Sequence, residues 1–82
     1  MNSPKDFLEG NSHEEISRSV VHHLTENNSP VGAVLKTQAG YFWLDFRNEI
    51  YSNSFFRTLK ETVSEFNMWL ESEQKYGGGE PH

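Results

Sequence analysis

The chain has 82 residues, no cysteine and a net charge of −5. A single domain of this size buries little surface, and the lack of Cys excludes a disulfide scaffold, a thiolate nucleophile and a zinc ribbon. The acidic balance disfavours nonspecific binding to phosphate backbones, because the few Lys and Arg residues are scattered along the chain and form no basic patch.

Apolar content is low but aromatic content is high, so the core is expected to be small and aromatic. No apolar run approaches the roughly 20 residues of a membrane span. The opening MNSPKDFLEGNSHEE has neither a basic nor an apolar leader region. A cytoplasmic protein is the resulting expectation.

Residues 1–11 read as a flexible lead-in. Within it Ser3-Pro4 can start one helical turn, with Gly10 as its stop and Phe7 and Leu8 as its only anchors. The expected domain covers residues 12–76. A first helix is predicted over 12–27, where Ser12-His13-Glu14-Glu15 matches a capping box. Ile16, Val20 and Leu24 would form its apolar face, and Asn27-Asn28-Ser29-Pro30 would end it.

A β-hairpin is predicted over 31–46, with the turn at Gln38-Ala39-Gly40 and Gly40 supplying the positive φ. Phe42, Leu44 and Phe46 line one face of its second strand and read as core; Tyr41, Trp43 and Asp45 line the other. If Arg47-Asn48 makes a second tight turn, Glu49-Ile50-Tyr51 adds a short third strand.

A long helix is predicted over 54–76, because Phe56, Leu59, Val63, Phe66 and Leu70 repeat at helical spacing. Residues 77–82 read as a disordered tail. The expected fold class is α+β: a two- or three-stranded antiparallel sheet between an N-terminal and a C-terminal helix, order α-β-β-(β)-α, with both helices on one sheet face.

A helix over 54–76 would be about 35 Å long, against about 20 Å for a six-residue strand. Phe66, Trp69 and Leu70 would then overhang the sheet, leaving a sticky patch for a second copy to cover. That argument predicts a homodimer.

Chemical motifs are sparse. His22 and His23 are adjacent, and Glu26 lies within pairing distance of either on a helix, but no third ligand is placed by spacing. No metal or other cofactor is expected. Asp45 is the one acid within the aromatic hairpin, yet it has no second group of defined role beside it, so no catalytic residue is assigned. The triple glycine 77–79 lacks the strand and Lys of a phosphate loop.

The function that remains is a non-catalytic protein–protein interaction or regulatory module. Tyr41, Trp43, Asp45, Phe66, Trp69 and Leu70 are the expected partner-binding residues, and the acidic charge favours a partner with a basic surface. The competing reading is a small-ligand or enzymatic site at the dimer seam.

Overall fold

The structure, a computed structural model, describes residues 3–72. Seven elements follow one another: α1 (Pro4–Gly10), α2 (His13–Arg18), β1 (Val20–Glu26), β2 (Ser29–Thr37), β3 (Gly40–Asp45), β4 (Ile50–Tyr51) and α3 (Leu59–Ser72). The class is α+β, with helices flanking an antiparallel sheet whose strand order is β1-β2-β3-β4.

The sheet has four strands because residues 20–26, expected as the second half of a helix over 12–27, are extended instead. The helix start is as expected. Ser12 Oγ accepts from the Glu15 amide and Glu15 Oε1 accepts from the Ser12 amide, both at 3.2 Å. The helix then stops after Arg18.

Two local causes account for the switch. Val20, Val21 and Thr25 are β-branched and suit a pleated strand. Asn27 and Asn28 both adopt positive φ, 54° and 67°, between the paired residues Glu26 and Ser29. That is a two-residue hairpin turn of the mirror-image kind, for which Asn is well suited. This turn replaces the helix end expected at the same two residues.

The second hairpin turns as expected. Gly40 has φ 138°, and Thr37 Oγ1 accepts from the Ala39 amide and donates to the Gly40 carbonyl, each at 3.0 Å. The third of the expected strands is present as β4, limited to Ile50 and Tyr51 and paired with Asp45 and Leu44.

Each sheet face has its own cover, which corrects the expectation of both helices on one side. Ala33, Leu35 and Phe42 pack with Phe7 of α1 and Ile16 of α2. Leu24, Val31, Val34 and Trp43 pack on the other side with Phe66 of α3. Strands apolar on both faces require cover on both. Residues 3–11, set apart by sequence as flexible, thus contain a helix docked by a buried Phe7 whose ring lies 5.8 Å from Phe42.

Register shifts interrupt β1–β2 pairing between Val20 and His22 and between Leu24 and Thr25. An extra residue at each point reverses the alternation of faces. Val20 therefore faces the α1/α2 side while Leu24 faces α3.

The last helix starts at Leu59, not near 54, because the preceding segment is a strap along β3. Tyr41 and Phe56 exchange backbone hydrogen bonds of 2.9 and 2.7 Å, and the Ser52 amide donates to the Trp43 carbonyl at 3.0 Å. Over its described length α3 has 14 residues, about 21 Å, comparable with the strands beneath it. The expected overhang is absent among the described residues, and Phe66 is buried within the single chain. The expected helical turn at 73–76 and the tail 77–82 lie outside the described residues. No described helix is long and apolar enough to cross a membrane.

Candidate interaction surface

The six expected binding residues do not form one surface. Trp43, Asp45 and Phe66 are buried. Trp43 lies 5.4 Å from Phe66 and 5.3 Å from Trp69, so the Tyr41/Trp43 side of β3 is the sheet face that α3 covers. Trp69 and Leu70 are half-buried against the same cluster, and so is Tyr41, whose ring lies 5.8 Å from Lys36 Nζ. Conversely, Phe46, read as core, is 49% exposed. The short α1 and α2 reach Phe42 but leave the end of β3 open.

Asp45 closes a loop. Its carboxylate accepts from the Arg47 amide at 2.8 Å, the Asn48 amide at 3.2 Å and the Asn48 side-chain amide at 3.1 Å. A carboxylate held this way shapes residues 46–49, the β3–β4 connection. Arg47 points its guanidinium to Glu26 at 2.9 Å, tying that loop to the tip of the first hairpin.

His22 and His23 occupy successive strand positions, so they point to opposite sheet faces. Glu26 is engaged by Arg47, and among the described residues no group of three or more His, Cys, Asp or Glu is placed to hold a metal ion.

The open feature is the flank where β1 and α3 meet. β1 is the outer strand of the sheet, and among the described residues none pairs with its far edge. Beside it lies a shallow groove of about 580 Å³. His22 forms the strand wall. The helix wall consists of two rows with i, i+4 spacing: Leu59, Val63, Asn67 and Glu71, and beside them Lys60, Ser64 and Met68. Met68 is 59% exposed and Val21, at the bulge of β1, is 47% exposed.

The sequence reading does not bring this flank together, because it places residues 20–26 in a helix and not on a sheet edge. A smaller hollow of about 350 Å³ lies on the opposite face, walled by Leu8, Ile16, Val20, Leu35, Leu44 and Phe46. No family model, curated protein or solved structure matches this chain.

Proposed function

We propose that the chain is a non-catalytic protein–protein interaction or regulatory module that engages its partner through the β1–α3 flank. The observation that supports this reading is an edge strand of seven residues, open on one side among the described residues, running beside a partly apolar groove. An open strand edge offers backbone donors and acceptors for strand addition, and neighbouring pockets add side-chain specificity. The bulge at Val21 limits how far a straight strand can zip along β1, so helix-face contacts carry much of the recognition. Net charge disfavours a polyanion as the partner. A cytoplasmic setting belongs to the same proposal and accords with a chain free of cysteine.

The test compares recovery of partners by wild type, by a flank variant carrying Val21→Lys and Met68→Glu, and by Phe46→Ser on the opposite face. A partner purified from that capture should bind wild type and the Phe46 variant equally and the flank variant at least tenfold more weakly. Equal binding by all three would refute the assignment of the flank.

A further inference from the structure

We infer that the occupant of this flank is a second copy of the same chain, docked with its α3 antiparallel to the first across a two-fold axis. This deepens the interaction reading and rests on it.

The pattern along the helix wall carries the inference. About a point between Glu65 and Phe66, six residues of the groove wall are self-complementary when the direction is reversed. Lys60 falls opposite Glu71 of the other copy, Val63 opposite Met68, and Ser64 opposite Asn67. Charge meets opposite charge, apolar meets apolar, and hydroxyl meets amide. The row Val63-Asn67-Glu71 of one copy faces the row Lys60-Ser64-Met68 of the other, and the symmetry repeats the match. Ridges with i, i+4 spacing are the surfaces by which helices commonly interlock. An isologous contact requires this kind of self-complementarity.

Charge placement within the stripe offsets part of the repulsion. Two copies at −5 each repel overall. The stripe itself carries one Lys and one Glu, so it is neutral. Glu61 and Glu65 flank the stripe on its Met68 side: Glu65 borders with Met68 the hollow at Trp43 and Trp69, and Glu61 accepts from the Arg57 amide. Among the described residues neither Lys60 nor Glu71 has an ion-pair partner within the chain, so both remain available across the axis. The docked Met68 enters the groove between His22 and Val63 and covers the most exposed large apolar side chain of each copy.

The experiment is a charge reversal on the whole chain, read by sedimentation equilibrium over a dilution series, with circular dichroism to establish that each variant is folded. Wild type should form dimers at about 100 μM. Lys60→Glu alone and Glu71→Lys alone each replace two attractive pairs by two repulsive ones and should raise Kd about tenfold. The double reversal restores both pairs and should return Kd to near the wild-type value. A wild-type chain still monomeric at about 1 mM overturns the second-copy assignment. So do dimers whose Kd ignores the single reversals or is not rescued by the double one. The broader interaction reading falls separately, through partner binding that is indifferent to the Val21 and Met68 changes.

Discussion

Replacing Phe66 by Ala tests whether α3 is sheltered within one chain. Phe66 is 1% exposed, with ring centroids 5.4 Å from Trp43 and 6.0 Å from Trp69. Truncating a buried Phe to Ala removes its transfer free energy and leaves a cavity, together about 3–5 kcal/mol. An 82-residue chain has a total stability of about 4–12 kcal/mol. The variant should therefore lose a quarter or more of it, with a drop in Tm of roughly 12–24 °C for a loss of about 3 kcal/mol.

Two residues along the same helix, Met68→Ala removes a side chain that is 59% exposed, and the cost should be about 0.5 kcal/mol or less. Urea titration followed by tryptophan emission reads both variants, because the two Trp residues of the sequence both pack on Phe66. Equal destabilisation by the two changes, or a loss under about 1 kcal/mol for Phe66→Ala, would refute the packing of α3 on Trp43.

Three other changes probe the parts that hold the flank in place. Asp45→Ala leaves the Arg47 and Asn48 amides without their acceptor and should cost about 2–4 kcal/mol in chemical denaturation, whereas Asp45→Asn keeps one oxygen and should cost less than half as much. Gly40→Ala forces a side chain into φ 138° and brings its Cβ within 2.6 Å of the Phe56 carbonyl, so thermal melting should show a loss of about 1–3 kcal/mol. Asn28→Gly suits the positive φ of 67° in the first hairpin and should stabilise by a few tenths of a kcal/mol, while Asn28→Val should destabilise by about 1–2 kcal/mol.

Local signals with a specific chemical requirement were legible in the sequence. The Ser12/Glu15 capping box, the Ser3-Pro4 start of α1, the Gly40 turn and the helical stripe through Phe66 all occur where the residue types call for them. The misread region shows the limit of periodicity. Ile16, Val20 and Leu24 are spaced by four, and a spacing of four places residues on one face of a helix and equally on one face of a strand. The pattern alone could not choose. The choice lay in the β-branched residues and in an Asn pair that serves a hairpin as well as a helix end. Even the correct element would have misled, because the shift at Val21 sends Val20 and Leu24 to opposite faces.

One consequence runs from that strand to the candidate surface. A hairpin with an open second edge allows α3 to cover one side, and the aromatic residues that looked adhesive in sequence then become the core. The last helix begins at Leu59 and not near 54 because Ser52 and Phe56 pair with β3. With Phe66 buried and Trp69 and Leu70 half-covered, exposed grease no longer argues for a companion. What argues for one is the order of ordinary side chains on the helix's outer side, where Lys60 and Glu71 stand at matching distances from the centre. Burial can be satisfied by many partners, but reversed-sign charges at mirrored positions are satisfied best by the same surface turned around. Rescue by the double reversal is therefore the stronger test of association, because a merely adhesive patch would not respond to it.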